Sequence, residues 1–476
     1  MSKGRSIVKN TGAMLLATLI RMSASFVLVI FVARNLGSTG MGEFSLILSL
    51  FWIFQTIASM GVQPLIIREI AKAKDKTGII FSNAAFLAVC ASALMSVCMI
   101  GFTVLAEYSR TIHLASCWMS MTLILSTISI LIQAIFIAWE KAEFVMLGIT
   151  WESGIRLGAG IFILVMGRGL VVLSSIFALS TAVSLIINTA LMRKHVSHFP
   201  FRLEWPVCKW LMKMVPTFAG ISITNTVFWH VGTVLMSKLT TMEAIGLFSA
   251  SMRIVTMVKL ILQSYKVAIQ PVAVQTFHES IKSFKSFCEQ SLKYVFILTI
   301  PICAGVLVLS EQILLFIFGP EFVASANIFR IQVFILLTYG VTLVLASFLI
   351  ASHNQKTDLR INSICMVIQI VLGFIFISKY GILGAALSLL LSMQVFMAQQ
   401  LLFIQRNCFK LDILGSTLKI IAASCGMAGV AWILSSIHIV MNIVLSAATY
   451  AGLLFLLGIM DMQDIRRLIL MRKDGH

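Results

Sequence analysis

Long apolar runs separated by short polar connections fill most of this 476-residue sequence, and they constrain its fold more than any other feature. A helix of about 20 apolar residues spans the hydrocarbon core of a bilayer. The sequence contains fourteen such runs, and no connection between them is long enough for a domain outside the membrane. The runs lie near residues 11–33, 43–64, 79–105, 112–138, 144–166, 170–192, 210–236, 243–271, 290–310, 323–351, 360–378, 382–404, 414–434 and 437–459. The sequence therefore predicts an all-α polytopic membrane protein with about fourteen transmembrane helices.

Composition also favours a membrane protein over a soluble one. Hydrophobic residues make up 59% of the chain and charged residues 11%, whereas soluble domains have about 45–50% and roughly 25%. The runs are too continuous for the ~10-residue alternating strands of a transmembrane β-barrel. The net charge of +18 is not gathered in a soluble basic patch with interleaved aromatics, so no nucleic-acid partner is predicted. The composition therefore predicts that most of the chain lies within a lipid bilayer.

The distribution of lysine and arginine predicts the orientation of the helices. If the N-terminus is cytoplasmic, 25 of the 36 Lys and Arg residues lie near cytoplasmic helix ends and five near external ends. Positive charge concentrates on the cytoplasmic side of membrane proteins, so both termini are predicted to be cytoplasmic. The basic start, 1–10, is not followed by a small-residue cleavage site, so the first run is interpreted as a span.

A faint internal repeat suggests how the spans are grouped. The residues Gly42–Ser45 match Gly246–Ser249 at an offset of 204, and Gly169-Leu170 matches Gly381-Ile382 at an offset of 212. Six spans per copy give both copies the same orientation, which predicts two lobes related by an axis along the membrane normal. The predicted parts are an N-terminal lobe (1–192), a cytoplasmic linker (193–209), a C-terminal lobe (210–404), two accessory helices (405–459) and a basic cytoplasmic tail (460–476).

Charged side chains inside the predicted spans are mostly positive. The basic residues are Arg21, Arg156, Arg253, Lys259, Lys266 and Arg330, and the one clear acid is Glu152. A charge near the centre of a span costs at least about 2.5–3.5 kcal/mol, so such residues usually face a bundle interior or a watery cavity. The excess of cations predicts a cavity that binds an anion, and guanidinium groups match phosphate oxygens geometrically.

Several of these cations also have a structural interpretation. Glu152 and Arg156 are four residues apart on one helix face, so they are predicted to pair. Lys266 and Arg330 lie within reach of an interface to which their charges can extend. Arg21 lies near the middle of its span with no acid within helical reach, which favours a role in a cavity.

Polar and aromatic side chains in the spans are weaker candidates, in this case for contacts with sugars. The supporting residues are Trp52, Gln55, Asn225 and His230. Hydrogen bonds between helices and interfacial aromatics explain such residues as well. His230 is also a candidate proton-sensitive group, or a histidine satisfied within the bundle.

Motifs for enzyme chemistry are absent from the sequence. No GxxxxGK[ST] loop is present, which argues against an ATP-driven pump. None of the nine cysteines forms a CxxC pair, so no metal or redox site is predicted. The prediction is a transporter without a cofactor, and coupling to H⁺ or Na⁺ stays open.

Short motifs along the chain resemble the polysaccharide (O-antigen type) flippases of the multidrug/oligosaccharidyl-lipid/polysaccharide exporter superfamily. They include Ala33–Gly37, Gly42–Ser45 and Arg68-Glu69, and in the second half Gly246–Ser249 and Tyr380–Ala386. The resemblance implies a two-lobed transporter in the bacterial inner membrane. By alternating access, it would flip undecaprenyl-pyrophosphate-linked oligosaccharide units of O-antigen or a related polysaccharide from the cytoplasmic to the periplasmic leaflet. A polysaccharide polymerase and a chain-length regulator are implied partners.

The resemblance also ranks the candidate residues. Related lipid II flippases have cavity arginines on the first and eighth helices, and Arg21 and Arg253 occupy comparable places. The predicted substrate-binding residues are therefore Arg21 and Arg253, supported by Lys259, Arg156, Arg34, Arg330 and Lys266. Two alternatives are a drug/cation antiporter of the same fold, which would need acids in the cavity, and a membrane polysaccharide polymerase or ligase, which would need a large periplasmic loop.

Overall fold

The computed structural model describes residues 3–196, 202–352, 354–412 and 414–459. All regular secondary structure in these ranges is helical. The helices are α1 (Lys3–Ser59), α2 (Val62–Lys72), α3 (Thr77–Leu105), α4 (Arg110–Ala138), α5 (Ala142–Val165), α6 (Leu170–His195), α7 (Trp205–Leu239), α8 (Met242–Glu279), α9 (Ile281–Ile317), α10 (Ala326–Gln332), α11 (Phe334–Ala351), α12 (Gln355–Asn407), α13 (Leu414–Ile433) and α14 (Ile439–Leu456). The predicted basic tail, 460–476, and part of the predicted linker, 197–201, lie outside the described residues.

The lengths and composition of these helices confirm the predicted polytopic membrane fold. Eleven helical segments in the described ranges are long and apolar enough to cross a bilayer. Two of them, Gly12–Lys72 and Gln355–Asn407, contain 61 and 53 residues. A straight helix of 53 residues would be roughly 80 Å long, whereas the hydrocarbon core is about 30 Å thick. Each long segment therefore needs a break, and the total of fourteen spans stays a prediction.

Glycines supply the breaks inside the two long helices. Gly37 in α1 has φ 66° and Gly381 in α12 has φ 55°. Left-handed backbone of this kind is costly for residues with a Cβ atom and routine for glycine. The repeat offset of 204 relates Gly37 to the junction between α7 and α8, and the offset of 212 relates Gly381 to the junction between α5 and α6. Helices thus end at corresponding places in both halves.

The chain divides into two compact units, here called the N-terminal unit (Met1–Gly246) and the C-terminal unit (Leu247–His476). In the N-terminal unit, α1 packs along α5 and α7, and α4 packs along α6. In the C-terminal unit, α9 packs against α11 and α13, and α11 packs against α12. This division places α7 with the preceding helices because it packs on α1. The predicted lobes 1–192 and 210–404 therefore differ from it, and their boundaries stay a prediction.

Polar contacts fix the end of α7 within the N-terminal unit. Tyr108, in the connection between α3 and α4, shares a 2.6 Å hydrogen bond with Ser237. The pKa of the Tyr108 phenol is raised above its ordinary value, because the effect of burial is larger than the opposing effect of the hydrogen bond with Ser237. Lys238 places its ammonium 4.2 Å from the centre of the same ring and donates to the Ala106 carbonyl. The last turn of α7 is therefore held by several contacts.

Buried hydroxyl groups are common in the helices, and many bond to their own backbone. Thr127, Ser174 and Ser347 each donate to the carbonyl four residues earlier, at 2.8–3.0 Å. Such bonds satisfy a polar group without a partner from another helix. Small hydroxylic residues also let helices approach closely in a bilayer, where burial from water does not drive association. The helices can therefore pack tightly through small hydroxylic residues, without charged groups at these contacts.

Candidate functional site

The N-terminal unit contains a compact group of charged and polar side chains, here called the α5 cluster (Arg21, Glu152, Arg156, Phe177 and Thr181). The predicted pairing of Glu152 with Arg156 is present, with 2.5 Å between Oε1 and Nη2. Thr181 closes a triangle: its hydroxyl accepts from Arg156 Nη2 at 3.2 Å and donates to Glu152 Oε1 at 3.1 Å. The side chains of Glu152 and Arg156 are 21% and 23% exposed. The pair therefore remains accessible.

Two further side chains complete the α5 cluster. The Arg156 guanidinium carbon lies 4.4 Å from the centre of the Phe177 ring, a cation–π contact that orients the guanidinium plane. Arg21 on α1 is exposed and lies close enough to Glu152 and Arg156 for electrostatic interaction with both. No hydrogen bond joins Arg21 to any other described residue. Two cations therefore share one carboxylate, and the cluster carries a formal charge of +1.

The C-terminal unit contains a second set of polar residues along α8, here called the α8 cluster. It consists of Lys259 and Gln263 with Tyr339 of α11, and of Arg253 six residues before Lys259 on α8. Lys259 is only 7% exposed, and its ammonium lies 4.6 Å from the centre of the Tyr339 ring. The Tyr339 hydroxyl accepts from Gln263 Nε2 at 2.9 Å. Arg253 is half-buried and forms no ion pair or hydrogen bond with the described residues. This cluster contains no acid among its members.

Lys266, also on α8, has an acidic neighbour on another helix. It interacts electrostatically with Asp358 in the first turn of α12. The Asp358 carboxylate accepts from Gln400 Nε2 at 3.1 Å, and Gln400 is completely buried. Lys266 therefore belongs to a group distinct from the α8 cluster, and its predicted role in substrate binding stays a prediction.

Arg330 and Arg34 lie in other surroundings. Arg330 on α10 forms a 3.0 Å ion pair with Glu311 on α9 and donates to Asn327 and to the Leu307 carbonyl. These bonds tie α10 to the end of α9. Arg34 is exposed near the break of α1 at Gly37. The structure brings neither arginine into the α5 or α8 cluster, and their roles in binding stay predictions.

The four supporting residues fall into two pairs. Gln55 is buried: it donates to Thr127 Oγ1 at 3.1 Å and accepts from Ser126 Oγ at 2.8 Å. His230 Nδ1 lies 3.3 Å from Ser49 Oγ on α1. Both therefore make bonds between helices. Trp52 and Asn225 are exposed, and their role in contacts with sugars stays a prediction.

Sequence reasoning missed the residues that complete these groups from other helices. Thr181 is 25 residues from Arg156, and Tyr339 is 76 residues from Gln263. No local spacing relates such pairs, although an intramembrane hydroxyl or phenol is itself a weak signal. Asp358 was missed because it lies at a helix end between two apolar runs.

Chemically, both clusters are suited to an anion. Guanidinium groups donate in a planar fork that fits phosphate or carboxylate oxygens, and an ammonium supplies a compact charge. The described residues contain no group of three or more His, Cys, Asp or Glu side chains arranged to hold a metal ion. Apart from Glu152, the charged side chains of the two clusters belong to arginine and lysine.

Similar proteins point to one family. Residues 7–277 match the family described as "Polysaccharide biosynthesis protein", and residues 218–375 match the family described as "MatE". A stretch of 156 residues is 26% identical to the "Probable low-salt glycan biosynthesis flippase Agl15" of Haloferax volcanii. That match spans 33% of this chain and 33% of the relative.

Two solved structures share the fold over most of the chain. "Lipid II flippase MurJ, inward closed conformation" has a TM-score of 0.76 at 15% identity, over 94% of this chain and 98% of that one. An inward-facing multidrug resistance MATE family transporter has a TM-score of 0.67 at 14% identity, over 86% and 98%. The resemblance to the exporter superfamily that the sequence predicts is confirmed. Because the first family match covers more than half of the sequence, this multi-pass membrane chain belongs to the polysaccharide biosynthesis protein family.

Proposed function

We propose that this chain flips lipid-linked oligosaccharides across the membrane. Its substrate would be a polyprenyl-pyrophosphate-linked repeat unit of O-antigen or a related polysaccharide, moved from the cytoplasmic to the periplasmic leaflet of a bacterial inner membrane. One observation carries the proposal: membrane-embedded helices hold more cations than acids, and Arg253 has no ion pair with the described residues. The family membership supports the same class of cargo.

The physical need for such a protein lies in the head group of the lipid. Moving a charged pyrophosphate and several sugars through hydrocarbon without hydration is prohibitive, because unpaired polar and charged groups are costly there. The polyprenyl tail can stay in the lipid throughout. Each cluster offers guanidinium groups, Arg21 and Arg156 in the α5 cluster and Arg253 in the α8 cluster, that would replace part of the lost hydration of phosphate oxygens. Alternating access would then expose the bound head group to one side of the membrane at a time.

The charge of the clusters favours this cargo over an organic cation. An antiporter for cationic drugs needs an acid that is available to the drug. Glu152 is already engaged by Arg156 and Thr181. The MatE match therefore supports the shared fold, and we do not extend it to the cargo of MATE transporters.

The proposal is tested in the native host with the chromosomal gene deleted and no redundant flippase present. Plasmid copies carry Arg21→Ala, Arg21→Lys, Arg253→Ala or Arg253→Lys, at matched protein levels. We expect the Ala variants to lose most surface polysaccharide and to trap lipid-linked units on the cytoplasmic face. The Lys variants keep the charge and lose less, since only the fork geometry changes.

The matched control is Arg168→Ala, which removes an exposed arginine from the turn between α5 and α6. We expect normal surface polysaccharide from this variant. Normal polymer from both Arg21→Ala and Arg253→Ala would contradict the site assignment. Normal polymer in the deletion strain itself would contradict the function.

A further inference from the structure

We propose that Glu152 is an internal counter-anion, which occupies Arg21 and Arg156 until a phosphate group of the transported lipid displaces it. The inference rests on the proposed function and concerns the same site. In this proposal Arg21 and Arg156 bind the phosphate group of the lipid, and Glu152 promotes its release. Thr181 acts as a positioning residue, because it fixes the carboxylate without contacting the lipid itself.

The bonds of the Glu152 carboxylate support this role. A single oxygen, Oε1, accepts both the Arg156 bond at 2.5 Å and the Thr181 bond at 3.1 Å. Arg21 adds electrostatic attraction from α1. The carboxylate therefore accepts hydrogen bonds from α5 and α6 and is attracted by a cation on α1, in the way that a bound anion would be held. Glu152 lies in the middle of α5, where an acid with a merely local structural role would be costly.

The Arg156 guanidinium keeps donor capacity beyond the carboxylate. Its Nη2 serves both Glu152 and Thr181, and its Nε has no hydrogen-bond partner among the described residues. The Phe177 ring holds the guanidinium plane from one side. A phosphate offers more acceptor oxygens than a carboxylate, so it can use donors that Glu152 leaves unused.

Exchange of one anion for another allows a cationic site both to bind its anionic substrate and to release it. Two arginines that share a site without an anion would repel each other, which is unfavourable. The same two arginines without a competitor would also hold a pyrophosphate too tightly to release it. A transport site must bind well enough to load and weakly enough to unload. Glu152 lowers both costs, since it neutralises the empty site and competes with the substrate for the arginines.

The test measures binding of farnesyl pyrophosphate to the purified full-length protein in phosphatidylcholine nanodiscs, with farnesol as the uncharged control probe. The main variant is Glu152→Gln, which is isosteric and still offers an amide oxygen to Arg156 and Thr181. Thr181→Val removes the hydroxyl while it keeps the shape. Glu152→Asp retains the carboxylate. Glu143→Gln makes the same change on the first turn of the same helix, outside the cluster.

We expect Glu152→Gln to bind farnesyl pyrophosphate at least about tenfold more tightly than the native protein, since charged hydrogen bonds of this kind have such a magnitude. Thr181→Val should tighten binding by a smaller factor. Glu152→Asp keeps the negative charge on a shorter side chain and should tighten binding less than Glu152→Gln does. The control Glu143→Gln should bind as the native protein does, and farnesol binding should not change. In cells, Glu152→Gln should reduce surface polysaccharide because release is slower. A purely structural role would instead weaken binding and transport together.

The expected gain must depend on the arginines. The double variant Glu152→Gln with Arg21→Ala should lose the tighter binding. Unchanged or weaker binding in both Glu152→Gln and Thr181→Val, with thermal unfolding like that of the native protein, would overturn the exchange while the flippase proposal stands. No binding of farnesyl pyrophosphate to the native protein would contradict pyrophosphate recognition and the exchange together. A deletion strain with normal polysaccharide would overturn the function itself.

Discussion

The α5 and α8 clusters differ in the groups that surround their cations within membrane-embedded helices. In the α5 cluster, Arg156 is neutralised by Glu152 and further held by Thr181. In the α8 cluster, Lys259 lies against an aromatic ring, and Arg253 has no ion pair with the described residues. We call the α5 cluster a closed network, because Glu152, Arg156 and Thr181 each bond to the other two. The α8 cluster consists of cations and neutral groups.

Because of this difference, substitutions in the two clusters should affect folding stability and transport to different degrees. Removing a cation from a closed network leaves a half-buried acid without its partner, which costs folding free energy. Removing Arg253 leaves no charged partner behind. Substitutions in the two clusters should therefore have different ratios of lost stability to lost transport, and the following predictions are ordered by their expected effect on the free energy of unfolding.

The largest loss of stability is expected for Arg156→Ala. It removes the 2.5 Å ion pair and the bond to Thr181, so that Glu152 loses its nearest cation. We expect the free energy of unfolding to fall by about 1.5–3 kcal/mol, as for hydrogen bonds to charged groups. Denaturant unfolding in detergent micelles measures the change. The double variant Glu152→Ala with Arg156→Ala should recover part of the loss, and a double variant less stable than Arg156→Ala alone would contradict a closed network.

The sequence could predict the part of this network that lies on one helix. Glu152 and Arg156 are one helical turn apart, so their pairing follows from the geometry of α5. Thr181 comes from α6 and Arg21 from α1, and their approach to Glu152 depends on how three helices pack. Lys266 and Asp358 illustrate the same limit, because α8 and α12 are far apart in the sequence. Single-helix contacts are thus predictable, and contacts between helices are not.

The repeat stays a prediction from the sequence, which gives no physical reason for its matching glycines. Gly42 and Gly246 match at the offset of 204, and the structure places their backbones in contact. A Cβ atom on Gly42 would lie 1.8 Å from the Met242 carbonyl oxygen, and one on Gly246 would lie 1.8 Å from the Ser38 carbonyl oxygen. Neither helix could therefore approach the other with a larger residue at these positions. The two matching glycines are the two sides of one close helix contact.

The next loss of stability is expected for Asp358→Ala. This variant removes the acceptor of Gln400 Nε2, and Gln400 is completely buried. An unsatisfied buried donor costs about 1–3 kcal/mol, and we expect the lower half of that range because Asp358 is only half-buried. Denaturant unfolding in the same micelles measures it. Asp358→Asn keeps an acceptor and should lose less. An equal loss in both variants would assign the effect to the charge of Asp358 beside Lys266.

A smaller effect is expected for Tyr339→Phe in the α8 cluster. The variant removes the 2.9 Å bond from Gln263 but keeps the ring beneath the Lys259 ammonium. Because the lost bond is a single hydrogen bond between neutral groups, we expect a loss of about 0.5–1 kcal/mol in the free energy of unfolding. Tyr339→Leu also removes the ring and should lose more. Equal stability of the two variants would mean that the cation–π contact contributes nothing measurable.

The smallest loss of stability, combined with a large loss of transport, is expected for Arg253→Ala. No described residue pairs with this guanidinium, so its removal leaves no charge without a partner. We expect the free energy of unfolding to change by less than about 0.5 kcal/mol. Surface polysaccharide should nevertheless fall about tenfold, since a lost charged hydrogen bond to phosphate has that magnitude. Both quantities are measured on the same variant, so each checks the other. If Arg253→Ala unfolds as readily as Arg156→Ala, Arg253 is part of the packing of the C-terminal unit, and the contrast between the two clusters disappears.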